Sequence, residues 1–155
     1  MDEKTIAALN AAGVAVASQV MDNGEARHRM MCEGNKQGYI LTVAGSEGGW
    51  QNAHYHGGNR EFYAVVTGWM AFADIYEGQP RIRVIGPDDG EVCSQPGVPH
   101  NVYLPPGGAI HTVKWGTAVG NPEKNGADWF PAPEDFNAWT KSLAEDDIHR
   151  LATVV

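Results

Sequence analysis

His54-Tyr55-His56-Gly57-Gly58-Asn59-Arg60-Glu61 is the stretch from which the fold is read. Side chains alternate across an extended strand, so His54 and His56 point to one face. Gly57-Gly58-Asn59 follows, residues that tolerate positive φ and let the chain reverse, and Glu61 then opens a neighbouring strand. With residues 57–60 as the loop, His56 stands opposite Glu61 and His54 opposite Tyr63, and residues paired in this way share a face. Two imidazoles and a carboxylate converge on one point.

A third imidazole is supplied by Pro96-Gly97-Val98-Pro99-His100. The two prolines keep the approach extended, and the glycine permits a tight backbone ahead of the histidine. Three neutral imidazoles and one carboxylate suit one divalent transition metal ion, Mn, Fe, Ni, Co or Zn. Calcium and magnesium prefer shells built of oxygen and fit this donor set poorly.

Outward from these motifs, residues 27–115 run in short stretches rich in Val, Ile, Tyr, Phe and Thr. Turn clusters separate them, among them Gly45-Ser46-Glu47-Gly48-Gly49, Gly86-Pro87-Asp88-Asp89-Gly90 and Pro105-Pro106-Gly107-Gly108. About eight to nine strands at this spacing predict an antiparallel barrel or sandwich. The 155 residues, 43% hydrophobic, are one domain's worth of chain with enough apolar mass for a core. Three segments are expected within it: a helix and arm over 1–26, the barrel over 27–120, and an aromatic and helical tail over 121–155. Residues 2–12 read as a helix stopped by Gly13, and 133–150 as a second helix begun by Pro133. Trp129, Phe130 and Trp139 in the tail dock on the barrel or on a partner subunit.

The net charge of −8 argues against nucleic acid and anionic membrane as partners. No apolar run reaches the length of a membrane span. Ala15-Val16-Ala17 has the small-x-small form of a cleavage site, but Asp2 and Glu3 precede it with only Lys4 in compensation, and Asn10 interrupts the apolar run. A secretory signal is therefore not expected. Cys32 and Cys93 lack a C-x-x-C spacing and read as free thiols of a reducing, cytoplasmic compartment.

Taken together, Gly48, His54, His56, Glu61 and Gly68 match G-x5-H-x-H-x4-E-x6-G, the first motif of the cupin superfamily, and the sequence resembles that superfamily over about residues 48–104. The second motif, G-x5-P-x-G-x2-H-x3-N, is matched in part by Gly90, Pro96, Gly97 and His100. Here Pro96 directly precedes Gly97, and Leu104 stands where the motif has Asn. The resemblance implies an all-β fold, an antiparallel double-stranded β-helix (jelly-roll barrel) with short N-terminal and C-terminal helices. It also implies one metal ion per barrel held by His54, His56, Glu61 and His100, and, with the aromatic tail, a homodimer. It does not transfer a reaction.

Two further residues are candidates for catalysis. Tyr63 shares the face of Glu61 and is placed to hydrogen-bond or exchange a proton with a bound oxygen. His111 faces inward if 100–104 and 109–115 form a hairpin around the loop 105–108, because Val102 then pairs with His111 and His100 with Val113; a shift of one residue turns it outward. Arg60, Arg81 and Arg83 are read mainly as solvated strand residues. Trp50, Trp69, Met70 and Phe72 are read mainly as core. The expected function is a divalent-metal-dependent enzyme acting on a small oxygenated metabolite, a keto, enediol, hydroxy-acid or sugar-like compound. An apolar interior favours a dioxygenase. The alternatives are a redox-neutral isomerase, epimerase, decarboxylase or lyase, and a non-catalytic small-molecule binding or sensor barrel.

Overall fold

The structure, a computed structural model, describes residues 1–32 and 37–152. It opens with α1 (Glu3–Ala11), whose N-terminus is capped by the Asp2 carboxylate accepting from Thr5 N–H at 2.9 Å. Then come β1 (Val14–Val20), β2 (Ala26–Cys32), β3 (Gly38–Val43), β4 (Gly49–Trp50), β5 (His54–Tyr55) and β6 (Asn59–Thr67). The remaining strands are β7 (Met70–Tyr76), β8 (Gln79–Ile85), β9 (Glu91–Cys93), β10 (His100–Leu104), β11 (Ala109–Gly116) and β12 (Phe130–Pro131). The chain ends in α2 (Glu134–Ser142) and α3 (Glu145–Leu151).

These strands form two antiparallel sheets, one ordered β1-β2-β3-β11-β6-β9 and the other β12-β5-β10-β7-β8 with β4 also on β10. This is the expected all-β jelly roll with short terminal helices. The sheets face each other as walls, and among the described residues no ladder closes one on the other. Alternation within each strand decides what lies between them. Glu61, Tyr63 and Val65 of β6 are buried. Tyr63 and Val65 meet Met70 and Phe72 of β7, Val102 and Leu104 of β10 and Ile110 of β11 in one cluster between the sheets.

The second sheet is buried on its other face too. Ala71 and Ala73 of β7 and Tyr103 of β10 pack with Trp50, Phe136 and Ile148, so α2 and α3 cover this side. Small residues on β7 let the helices approach. Trp69 and Trp139 pack against the same cluster, and the tail is tied down where Ala132 N–H donates to Ala53 O at 3.1 Å. The aromatic tail thus docks on its own chain.

Several sequence expectations are corrected here. The segment expected as an N-terminal helix and arm contains, after α1, the edge strand β1 laddered to β2. The helical stretch expected over 133–150 is two short helices separated at Leu143, which is extended and packs into the helix-side core; Pro133 precedes α2 as its cap. Most consequential, neither expected hairpin exists. β5 pairs with β10 and β12, whereas β6 pairs with β11 and β9 in the opposite sheet. Likewise β10 lies on β7 while β11 lies on β3 and β6. The turn residues correctly mark reversals, but in a jelly roll the reversed chain crosses to the facing sheet. A true hairpin does occur at β7–β8, where Glu77 and Gly78 both have positive φ (51° and 76°), as a two-residue turn requires. No helix among the described residues is long and apolar enough to cross a membrane.

Candidate metal centre

Crossing between sheets still brings the four motif side chains together, because each strand keeps its inward parity. His54 of β5 lies beside His100 of β10 in the second sheet, and Glu61 reaches toward them from β6 in the first. His56 sits on the connection between the sheets, and its carbonyl accepts the Gly97 N–H at 2.8 Å, joining the two motifs. Four donor atoms, one from each of His54, His56, Glu61 and His100, lie within 4.8 Å of one another, and all four residues are buried.

The orientation of each imidazole is fixed from behind. His54 Nδ1 bonds Asn52 O at 2.9 Å, His100 Nδ1 bonds Val98 O at 3.1 Å, and His56 Nδ1 bonds Asp128 O. A carbonyl can only accept, so each Nδ1 carries the proton and each Nε2 offers a lone pair to the centre. Lys114 Nζ also lies 3.1 Å from His56 Nδ1. An ammonium can only donate, so with Nδ1 donating to Asp128 O the anionic neighbour of Lys114 is Glu61 Oε1 at 3.5 Å. The three Nε2 atoms stand 3.9 Å (His54), 2.8 Å (His56) and 3.5 Å (His100) from Glu61 Oε2.

Three lone pairs facing one carboxylate repel unless a cation lies among them, and buried His100 Nε2 has no hydrogen-bond partner in the protein. The residues therefore fit a divalent ion with nitrogen and oxygen donors. Electrostatics follow from burial and proximity. Burial pushes His54 down to about 4, against a smaller upward pull from Glu61. Burial alone would raise Glu61, but the polar imidazoles of His100, His54 and His56 crowded around it hold it well below the ordinary carboxylate value. Burial, then the Glu61 charge, push the Tyr63 phenol well up, so it remains a donor, and its OH donates to Glu61 Oε2 at 2.5 Å.

The loop carrying His56 is held by a residue far along the chain. Asp128 accepts the N–H groups of Gly57 (2.6 Å), Gly58 (3.1 Å) and Asn59 (2.8 Å). These bonds outweigh the effect of burial and lower its pKa. A Cβ on Gly58 would lie 1.8 Å from Thr117 O, so only glycine fits there. In front of the centre opens a cavity of about 670 Å³, lined by His54, His56, Glu61, Tyr63, Lys114 and Trp129 among others. Trp129 stacks on His54 with ring centroids 5.4 Å apart, as a wall beside the four candidate donors.

Tyr63 is thus in the site. His111 is not: it is exposed on the outer face of the first sheet, where its Nδ1 lies 2.7 Å from Tyr39 Oη. The expectation that it lines the pocket is corrected by the pairing of β11 with β3 and β6, which turns Ile110, Thr112 and Lys114 inward. Arg81 and Arg83 bind Asp74, away from the main cavity, and Arg60 bonds Gln95. Sequence reasoning missed Lys114 and Asp128. Parity from apolar Ile110 would have placed Lys114 inward; nothing local in the sequence relates Asp128 to residues 57–59.

With the motif residues in one place and the strands in jelly-roll order, the chain has the cupin fold. By sequence, no protein-family model and no curated protein matches it. By structure it is similar to the capsular polysaccharide assembling protein CapF of Staphylococcus aureus. The TM-score is 0.56 at 16% identity, covering 74% of this chain and 32% of that one. It is also similar to the oxalate decarboxylase OxdC of Bacillus subtilis in a mutant form, with TM-score 0.56 at 14% identity, covering 88% of this chain and 37% of that one. The chain spans about a third of the length of these proteins. At such identities the likeness concerns the fold alone.

Proposed function

We propose that this chain is a divalent-metal-dependent enzyme acting on a small oxygenated metabolite, a keto, enediol, hydroxy-acid or sugar-like compound. His54, His56, Glu61 and His100 are the ligands in this reading. One observation carries it: three backbone-anchored imidazoles present their Nε2 lone pairs to a single carboxylate at the edge of an open cavity. When bound, the ion supplies Lewis acidity and open positions for substrate oxygen. The oxalate decarboxylase of Bacillus subtilis has Mn(II) centres, which makes manganese the first ion to test.

The chain's own groups divide the remaining work. Tyr63 donates to Glu61 and acts as a positioning residue for that ligand. Asp128 holds the 57–59 backbone and, through its carbonyl, the ring of His56. Lys114 places a positive charge and three donor hydrogens at the cavity side of Glu61, where negative charge on a substrate oxygen is stabilised. Trp129 keeps water from one side of His54. The Lys114 ammonium favours redox-neutral chemistry such as decarboxylation or isomerisation. The second reading, a dioxygenase, is favoured by Met21, Met31, Ile40 and Trp129 on the same walls, which are apolar enough to shelter reactive oxygen.

Elemental analysis of protein purified without chelator, followed by oxygen-electrode assays with 2-oxo acids, diketones and catechols, tests this reading. About one first-row ion per chain is expected. Turnover that persists without dioxygen supports the redox-neutral reading, stoichiometric oxygen uptake supports the dioxygenase, and failure to take up any metal removes both. A homodimer in the cytoplasm belongs to the same proposal. Its support is no longer the tail, which packs on its own chain, but exposed Val66, Val113 and Trp115 on the first sheet. Light scattering checks it.

A further inference from the structure

The cavity has a second chemical feature, separate from the ligands. β2 turns Arg27, Arg29 and Met31 toward the interior, opposite Thr42, Ile40 and Gly38 of β3, and all three of these β2 residues line the cavity. The two arginines are not equivalent. Arg27 donates from Nε (3.2 Å) and Nη2 (2.8 Å) to Oε2 of buried Glu25, which also accepts from Gln51. Its charge is compensated within the protein.

Arg29 has no such partner. Its Nη1 donates to Gln19 Oε1 at 3.2 Å, and its Nη2 faces the Met21 thioether at 3.9 Å. Both acceptors are neutral, and among the described residues no carboxylate pairs with it. A half-buried guanidinium has lost part of its hydration, and Arg27 beside it adds repulsion; both effects act against its charge. Guanidinium nonetheless stays charged, so the wall holds an uncompensated cation.

The rest of the cavity adds to this imbalance. Leaving aside Arg27, which is paired with Glu25, the cations Arg29, Lys114 and Lys124 line it against Glu61 and Asp128. Asp128 is already occupied by three backbone N–H groups, and Glu61 faces the imidazoles. A cavity cationic by composition lies within a chain of net charge −8, so it is not part of a general basic surface. Low-dielectric walls concentrate such a field on whatever enters.

We infer that Arg29 anchors an oxyanion group of the metabolite, a carboxylate or a phosphate ester, so that the site takes small organic anions in preference to neutral compounds. The guanidinium fork matches either group in a bidentate manner. This deepens the function proposed above and rests on that reading for the shared cavity, but its test does not depend on turnover.

Calorimetric titration of the full chain at low salt, first stripped with chelator and then loaded with Mn²⁺, uses malonate, methyl phosphate and neutral malonamide as probes. Malonate or methyl phosphate is expected to bind and malonamide not, and the better of the two anions identifies the group. Arg29→Gln weakens anion binding by about tenfold or more. Gln19→Glu, on an exposed strand position, offers Arg29 a carboxylate of its own and does the same without touching the arginine, which guards against misfolding of the first variant. Both variants bind Mn²⁺ within about twofold of the parent. Anion affinity unchanged in both variants, or equal binding of malonamide, overturns the inference. Should the parent bind no Mn²⁺ while the anion still depends on Arg29, the enzyme reading falls and the anchor stands; the reverse pattern removes the anchor alone.

Discussion

Glu61 and Asp74 are two carboxylates buried to nearly the same degree, 6% and 7% exposed, on facing sheets of one interior, and the protein treats them in opposite ways. Asp74 lies opposite His100 in the β10–β7 ladder. It accepts from Arg81 Nε and Nη2 at 2.9 and 2.6 Å and from Arg83 Nη2 at 3.0 Å, so both its oxygens are taken by guanidinium. Glu61 receives a neutral phenol, a lysine at 3.5 Å and three imidazoles whose Nε2 atoms carry lone pairs. Burial and charge alone do not mark a site. What marks it is a set of inward lone pairs that the surrounding protein leaves without a proton donor, as at His100 Nε2.

The comparison breaks most visibly in stability. Asp74→Ala strands two partly buried guanidinium groups and is expected to cost about 3–5 kcal/mol in chemical denaturation, with metal uptake retained. Loss of metal by this variant would show that Asp74 belongs to the centre. Glu61→Gln should do the reverse, weakening Mn²⁺ by at least a thousandfold, about 4 kcal/mol, in competition titrations. Its metal-free form should unfold less easily than the Asp74 variant. Metal affinity within tenfold of the parent would erase the distinction between the two carboxylates.

Acid sharpens the contrast further. In the metal-free protein His54 titrates at about 4, whereas in the unfolded chain it returns to 6.5. Between these values the unfolded state binds a proton that the folded state refuses. Stability is therefore full above 6.5 and falls by roughly 3 kcal/mol as pH drops toward 4. Glu61, held well below 4.5, adds its own loss under that pH. Denaturation at stepped pH checks this, and His54→Gln should flatten the upper part of the curve; an unchanged slope would mean another group governs it. The smallest effect is expected from His111→Gln. Its ring is exposed on the outer face, so metal affinity should be unaltered and stability within about 0.5 kcal/mol.

The centre was legible because its signals are local. H-x-H puts two rings on one face whatever strand lies beside them, Gly57-Gly58 marks a reversal, and Pro96-Gly97 with Pro99 brings in His100. Even so, the route by which they meet was misread, since His54 pairs with His100 and not with Tyr63. The misreading did no harm to the grouping of the four candidate donors because a face-to-face sandwich and a hairpin both gather inward residues. It did harm at His111, where the inferred hairpin partner, β10, set the parity instead of β3 and β6. Arg29 and Lys114 left no mark as site residues, for their importance comes from which groups do not reach them.

The amino-acid order by itself determined the class of fold, the four donor groups and the alternation that turns them inward, all consequences of backbone geometry acting over a few residues. Only the tertiary structure decided which sheet receives each strand, which face of β11 meets the cavity, and which buried charges find partners. Those choices depend on burying both faces of the second sheet and one face of the first at once, a requirement no single segment expresses.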